Sequence, residues 1–329
     1  MENVTLKRIA EVLGLSISTV SRAIKNHPDI SVNTKKRVNE LAKFLDYEPN
    51  INAINLRAKK NRVLGLIVPT ISGFFYDFLI SAIEEECRAN DYTLIILQSG
   101  DDPDVENTNL SVCRQNRVSG LFVCLAATTS NMAPFDKFIE AEIPLVFFDK
   151  VPEGDGYNKV CIADEIAATL AAELLIKKNK KYILALFGKK PMSITRNRLQ
   201  AFSNRVLQHK DITYHFEHCI SSTEAKNITK QYFSKTECPD AVFCMSDEIL
   251  IGVIKCLHEL NVEIPADAAV IALSDGFLPK LFTPEITYIE TSGYKLGKLA
   301  FSQMMNCLDR KTEPVTIFTK SPLIKGGSL

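Results

Sequence analysis

The sequence has no long hydrophobic run. No stretch of its 329 residues approaches the roughly 18 uninterrupted apolar residues that a membrane-spanning helix needs, so we expect no membrane partner. Met1-Glu2-Asn3 leads to Lys7 and Arg8 with no apolar segment behind them. This start predicts a chain without a signal peptide and therefore a cytoplasmic location.

The nine cysteines include no Cys-x-x-Cys pair. Most lie in apolar surroundings, such as Cys124 in GLFVCLA and Cys244 in AVFCM, which is typical of buried thiols in a reducing compartment. His215 and His218 have a spacing that metal ligands can have, but no cysteine is suitably placed around them. We therefore expect neither a metal site nor a cofactor.

Enzyme motifs are missing as well. The first apolar run is followed by PTISGFFYD rather than G-x-G-x-x-G, and no G-x-x-x-x-G-K-[ST] phosphate loop occurs. The five histidines suggest no Ser/His/Asp or Cys/His set. An enzyme built on a nucleotide-binding sheet is therefore not expected.

Charge is unevenly distributed along a chain whose formal net charge is zero. Residues 1–60 contain 11 Lys/Arg and 6 Asp/Glu, whereas the other 269 residues contain 28 and 33. A small basic head on an acidic body suggests that the head binds a polyanion. The length itself predicts two or three domains.

The basic head has the pattern of three short helices. Thr5, Ser16 and Ser31 are typical N-caps, each followed by apolar residues at helical spacing, and Gly14 fits the stop between the first two helices. Two helices joined by a tight glycine turn, with a third that closes a small core, form a helix-turn-helix. A three-helix bundle that binds protein remains the alternative.

The second helix has an outward face suited to a DNA groove. Val20 and Ile24 point inward, which leaves Ile17, Ser18 and Arg22 outside, together with Ser21. Short side chains allow a close backbone approach, arginine can bond guanine bidentately, and isoleucine can contact a thymine methyl. Flanking cations available for phosphates are Lys7, Lys25, Lys35, Lys36 and Arg37.

A short basic segment follows the head. Pro49 is expected to end the third helix, and Asn50 can cap a further helix over 51–57. Such a helix is too short to be stable alone in water, so this linker is expected to fold only when bound.

The motifs VTLKRIAEVLGLSISTVSRAIKN (4–26) and VNTKKRVNELAKFLDYEPN (32–50) closely resemble the DNA-binding head of the lactose repressor/galactose repressor (LacI/GalR) family of bacterial regulators. The resemblance extends over essentially the whole chain. It implies that Ile17, Ser18 and Arg22 read bases. Phosphate contacts are implied for Thr5, Ser16, Thr19, Ser21 and Lys36.

The resemblance also implies a hinge helix that enters the minor groove. Asn50, Ala53, Leu56 and Arg57 match it, and Leu56 matches the leucine that wedges into the central base step. The family often has arginine two residues before that leucine, where this chain has Ile54. Arg57 is the substitute that the sequence offers.

The body alternates apolar runs with helical patterns at roughly 25-residue spacing, which predicts parallel doubly wound sheets. The alternation restarts after Asp164, so we infer two α/β subdomains. Predicted strands are 63–70, 92–98, 120–126, 144–149, 182–188, 241–245 and 269–273.

The resemblance implies a periplasmic-binding-protein-like core of type I that the chain crosses three times, near 162, 291 and 321. The predicted domains are a helix-turn-helix head (1–48), a hinge (49–61) and a core (62–329). Within the core, the N-subdomain comprises 62–161 and 292–320, and the C-subdomain comprises 162–291 and 321–329.

Ligands of open α/β sheets bind at the carboxyl ends of the strands. Reading those ends, together with the resemblance, predicts effector contacts from Phe75, Tyr76, Asp149, Arg198, Asp247, Ser274 and Asp275. A helix cap is the structural alternative for Asp247 and Asp164. The family's pocket is altered at Asp164-Glu165, Leu273-Ser274-Asp275 and Thr291-Ser292.

These observations predict a homodimeric regulator, with a repressor favoured, that binds double-stranded operator DNA of pseudo-palindromic sequence and responds to a small-molecule effector, a sugar or related metabolite. A solute-binding protein for transport would share the body. It would need a signal peptide and would not need residues 1–60.

Overall fold

The structure is a computed structural model that describes residues 5–47, 61–190, 192–309 and 313–329. Its internal contacts divide the chain into two compact units, Met1–Asn61 and Arg62–Leu329. No helix in the described part of the chain is both long and apolar enough to cross a membrane.

Residues 5–47 of the first unit form three helices around a small core: α1 Leu6–Leu13, α2 Ile17–Ile24 and α3 Val32–Phe44. Thr5, Ser16 and Ser31 cap them as the sequence predicts, each through a side-chain oxygen that accepts a backbone N–H three residues later. Gly14 ends α1 with its backbone in the left-handed region (φ 64°). A residue with a side chain would be strained in that conformation. The buried core residues are Ile9, Ala10, Val20, Ala23 and Val38.

The expectation that Pro49 ends the third helix is wrong. Helix α3 ends at Phe44, where Leu45 and the left-handed Asp46 (φ 52°) close it, and Tyr47 N donates to Ala42 O at 2.8 Å. A local backbone cap therefore stops the helix before the proline can act.

The N-subdomain of the second unit is a six-stranded parallel sheet in the order β11-β5-β4-β3-β1-β2. Its strands are β1 Val63–Val68, β2 Thr93–Gln98, β3 Gly120–Val123, β4 Leu145–Phe148, β5 Asn158–Cys161 and β11 Thr316–Phe318. Its helices are α4 Phe74–Ala89, α5 Pro103–Gln115, α6 Ala133–Glu140 and α11 Gly293–Asp309. The central strands are continuous apolar runs because helices cover both faces.

The C-subdomain has the corresponding order β12-β10-β9-β8-β6-β7. Its strands are β6 Tyr182–Phe187, β7 Thr213–His218, β8 Ala241–Cys244, β9 Ala269–Ser274, β10 Thr287–Glu290 and β12 Leu323–Ile324. Its helices are α7 Asp164–Lys177, α8 Ser193–Val206, α9 Ser222–Phe233 and α10 Asp247–Glu259. All pairings are parallel except that of β10 with β12.

The chain passes between the two sheets three times, after β5, after β10 and between β11 and β12. The two doubly wound sheets predicted from the alternation are confirmed. The sequence did not indicate the strands β5, β10, β11 and β12 or the helices α5, α6, α9 and α11, and it left the segment of β7 undecided between helix and strand.

Candidate functional site

The exposed face of α2 is the first candidate site. Val20 and Ala23 anchor the helix in the core, so Ile17 (44% exposed), Ser18 and Arg22 lie on its outer surface. Among the described residues, Arg22 is in no ion pair, which leaves its guanidinium available for an external acceptor.

The predicted phosphate contacts differ in their local bonding. Ser16 Oγ accepts Thr19 N at 3.1 Å and lies 2.8 Å from Thr19 Oγ1, and Thr5 Oγ1 accepts Arg8 N at 3.3 Å. Both hydroxyls cap helices; Ser16 Oγ also lies 2.8 Å from Ser18 Oγ, so a phosphate contact from Ser16 would replace one of these local hydrogen bonds. Ser21 is half-buried, and Lys36 is exposed on α3. The predicted hinge residues Asn50, Ala53, Leu56 and Arg57 lie outside the described residues.

The second candidate site is a cavity of about 340 Å³ in the body, at the carboxyl ends of strands from both sheets. Six of the seven predicted effector residues line it: Phe75, Tyr76, Asp149, Arg198, Asp247 and Asp275. Ser274 does not. It is buried behind Asp247, to which its hydroxyl donates, and it accepts Gly276 N at 2.9 Å. Ser274 was predicted as an effector contact, whereas its side chain lies beside the cavity and supports Asp247.

Arg198 enters the cavity from α8 and is held by Asp164 at the start of α7. Its Nε and Nη2 lie 2.7 and 2.6 Å from Asp164 Oδ1, and Nη1 donates to Met245 O at 3.0 Å. Both partners are more than nine-tenths buried. Burial raises the pKa of the Asp164 carboxyl, and the Arg198 charge opposes that rise. Asp164 is therefore an arginine partner, and its side chain caps no helix.

Asp247 and Asp275 form a pair of neighbouring carboxyls. Asp247 Oδ2 accepts Asp275 N at 3.0 Å, and Asp275 Oδ2 accepts Gly293 N at 2.5 Å. Burial raises the pKa of Asp247, and burial with nearby negative charge raises that of Asp275 to about 6. The helix-cap alternative for Asp247 is wrong, because Ser246 caps α10 by accepting Ile249 N at 3.4 Å.

Tyr76 contributes its hydroxyl rather than only its ring. The hydroxyl donates to Asp149 Oδ2 at 2.9 Å, and Cys124 Sγ lies 3.6 Å from the same oxygen. Burial, followed by the Asp149 charge, raises the pKa of Tyr76 well above its usual value. Phe75 packs edge-on against Tyr76, with ring centroids 5.4 Å apart.

Sequence reasoning missed an ionic bridge across the cleft between the subdomains. Asp101, which follows β2, accepts Lys150 Nζ at 2.7 Å and Ala127 N at 2.9 Å, and it also pairs with Lys189 of the C-subdomain at 3.3 Å. Asp101 lies three residues beyond the end of β2, at the carboxyl end of a strand, where ligand-binding residues of such sheets are expected. No apolar run or motif marks it.

The described residues contain no group of three or more His, Cys, Asp or Glu side chains arranged to hold a metal ion. His215 and His218 lie on β7 with other contacts: His218 Nδ1 is 2.7 Å from Gly188 O, and the His215 ring packs against Tyr182 and Tyr232. Seven of the nine cysteines are buried, Cys307 is intermediate and Cys238 is exposed.

Two family models match the chain. "Bacterial regulatory proteins, lacI family" matches residues 5–50, and "Periplasmic binding protein-like domain" matches residues 172–329. Among curated proteins, the HTH-type transcriptional repressor PurR of Vibrio atlanticus is 26% identical over 324 residues, which is 97% of this chain and 96% of the relative. The HTH-type transcriptional regulator RegA of Clostridium saccharobutylicum is 26% identical over 318 residues, or 93% of each chain.

Solved structures show the same fold. The lac repressor dimer bound to operator and the anti-inducer ONPF has a TM-score of 0.87 at 20% identity, and the match covers 99% of both chains. The complex of the transcriptional regulator CelR with cellobiose has a TM-score of 0.70 at 20% identity, also over 99% of both chains. The helix-turn-helix head and the type I periplasmic-binding-protein-like core are thereby confirmed.

Proposed function

Because the chain belongs to the lacI family of bacterial regulatory proteins and is a DNA-binding transcriptional regulator with a ligand-binding core, we propose that it is a repressor that binds its operator as a homodimer. The operator is pseudo-palindromic, since two identical heads read two half-sites. The protein acts in the bacterial cytoplasm, where its DNA lies. Its activity is binding, and no reaction is assigned to it.

The exposed face of α2 carries this proposal. Ile17, Ser18 and Arg22 read base edges in the major groove, and Arg22 is the one among them able to bond guanine bidentately. Phosphate positioning is assigned to Thr5, Ser16, Thr19, Ser21 and Lys36. The minor-groove role of Asn50, Ala53, Leu56 and Arg57 rests on the family resemblance alone.

The cavity between the subdomains binds the effector, for which we propose a sugar or sugar derivative. Phe75, Tyr76, Asp149, Arg198, Asp247 and Asp275 contact it, and Ser274 orients Asp247. An effector controls DNA binding only if it prefers one arrangement of the subdomains. CelR, which has this fold, is a regulator solved with cellobiose.

The proposal is tested by selecting the operator from random duplexes and then measuring two variants. Arg22→Ala is expected to cost about 1–3 kcal/mol on the selected operator and much less on random DNA, because a base contact is lost. Lys36→Ala is the matched control, and it weakens both complexes about equally because it removes a phosphate contact.

Equal losses on both DNAs would make Arg22 a phosphate contact and remove the base-reading assignment. Failure of the wild-type chain to enrich any duplex sequence would contradict operator recognition itself.

A further inference from the structure

The cations that line the effector cavity have ion-pair partners, whereas the carboxylates that line it do not. Its two cations, Arg198 and Lys189, are each paired with a carboxylate that does not line the cavity: Arg198 with Asp164 at 2.6 Å and Lys189 with Asp101 at 3.3 Å. Asp164 balances Arg198, whereas Asp101 is shared by Lys189 and Lys150, so that group keeps one positive charge beside the cavity.

Four carboxylates line the same cavity without a direct ion-pair partner: Asp149, Asp247, Glu248 and Asp275. Within the described chain, no lysine, arginine or histidine lies within ion-pair distance of any of them. Two cations act on them from a greater distance, and each is itself paired: Lys150, near Asp149, with Asp101, and Lys295, near Asp275, with Glu290.

The three aspartates already accept hydrogen bonds from neutral groups. Asp149 accepts the Tyr76 hydroxyl at 2.9 Å, and the main-chain N–H donors of residues 275 and 293 reach Asp247 and Asp275 at 3.0 and 2.5 Å. Further neutral donors would add hydrogen bonds but would leave the accumulated negative charge in place. An opposite charge would relieve it directly, and an anion would increase it.

Most of the remaining wall is apolar and aromatic, with Thr70, Ser72, Ser246 and Thr291 as its neutral polar members. Phe74 and Phe75 line one side, and Ile194, Ile220 and Leu273 lie elsewhere in the lining. Phe74 also stacks on Phe277 of the C-subdomain, with centroids 6.5 Å apart and planes 23° apart. Such a wall suits a carbon body, and aromatic faces attract cations.

We propose that the effector is an organic cation, a compound with a protonated amine directed at Asp247 and Asp275 and an uncharged ring or carbon body against Phe74 and Phe75. The inference rests on the proposed function, since it assigns the charge of the effector in that same cavity. It admits amino sugars and excludes phosphorylated or carboxylated ligands.

The test uses matched probes on the full chain, measured by calorimetry: D-glucosamine, D-galactosamine and benzylamine, each with its hydroxyl twin (glucose, galactose, benzyl alcohol), together with glucose 6-phosphate and galactose 6-phosphate. At least one amine is expected to bind roughly tenfold or more tightly than its hydroxyl twin. The phosphates are expected not to bind.

Asp275→Asn and Asp247→Asn each remove a charge and retain one oxygen for the main-chain N–H of residue 293 or 275; in Asp247→Asn the amide NH2 then faces the Ser274 hydroxyl, which accepts instead of donating. Each is expected to abolish most of the preference for the amine, whereas Glu237→Gln, at an exposed carboxylate outside the cavity, retains it. Melting curves of the ligand-free variants show whether each remains folded. If Asp275→Asn unfolds, Asp247→Asn decides.

Three results would overturn the inference: hydroxyl twins that bind as tightly as the amines, a phosphate that binds, or an amine preference that survives in both asparagine variants. If no probe of any class bound, the inference and the proposed effector cavity would both fail. Binding of neutral or anionic probes alone would refute only the inference.

Discussion

Asp275 shows how one residue can link stability to pH. Its pKa in the folded chain is about 6, against an ordinary value of 3.8, because burial disfavours its charge. The folded state therefore holds a proton that the unfolded state has released between about pH 4 and pH 6, so the stability contribution of this group falls as pH rises through that window.

We predict that Asp275→Asn stabilises the ligand-free protein near neutral pH. The asparagine cannot ionise, so its advantage in the free energy of unfolding is expected to be near zero at about pH 4 and roughly 1–2 kcal/mol near pH 7, with solvent screening included. Urea unfolding followed by circular dichroism measures both values. A variant that is no more stable than the wild type at neutral pH would show that burial does not penalise this carboxylate.

For single residues, the sequence predicted which ones lie at the cavity better than it predicted what their side chains contact. Strand ends and the family resemblance located Asp247 and Asp275, but whether Ser274 contacts a ligand or supports Asp247 depends on a rotamer that no pattern encodes. Likewise, Asp164 had two possible roles, and only the packing of α7 against α8 shows that it holds Arg198.

Among the elements, the close contact between α4 and α11 depends on a glycine, Gly297, which has no side chain. A Cβ on Gly297 would lie 2.7 Å from Leu79 O and 2.9 Å from Ala82 Cβ, so the two helices approach to backbone contact there. Leu79 is fully buried, which leaves little room for adjustment.

Gly297→Ala is expected to destabilise the body by about 1–3 kcal/mol, because the added methyl overpacks this contact. Gly156→Ala is the matched control: a Cβ there meets nothing within 4 Å, and its backbone is outside the left-handed region. Its effect is expected to stay within about 0.5 kcal/mol. Thermal unfolding of the two variants measures the difference, and equal melting temperatures would refute the close-contact explanation.

The elements that the sequence predicted are those with strong local signals. Capped helices and central strands such as β1 and β8 were recognisable, because burial on both faces gives continuous apolar runs. Strands β10–β12 are two to four residues long, and β11 is largely exposed, so their pairing depends on partners distant in the chain. Helix α3 ends before the predicted stop at Pro49 because Asp46 adopts the left-handed conformation. The sequence pattern did not indicate that conformation.

At the scale of the whole body, ion pairs between described residues bridge the cleft: Asp101 with Lys189 and Glu153 with Arg196, each at 3.3 Å. Asp101 is kept in place by the buried Lys150 at 2.7 Å, so the first bridge joins a fixed anion to a partly exposed cation. An exposed pair of this kind contributes about 0.2–1 kcal/mol. That is enough to bias the separation of the subdomains without locking it.

Lys189→Gln should therefore increase transient opening of the ligand-free cleft, by at most roughly fivefold for a loss of about 1 kcal/mol. Cys219 reports this opening, because it lines the cavity and is only 2% exposed, so a reagent reaches it chiefly when the cleft opens. Its alkylation rate, resolved by peptide mass spectrometry, is expected to rise in Lys189→Gln and to stay at the wild-type value in the exposed neighbour variant Lys190→Gln. The difference should shrink at about 1 M salt, where the screening length is about 3 Å. An unchanged Cys219 rate, or an equal rise in Lys190→Gln, would show that the Asp101–Lys189 bridge does not hold the subdomains together.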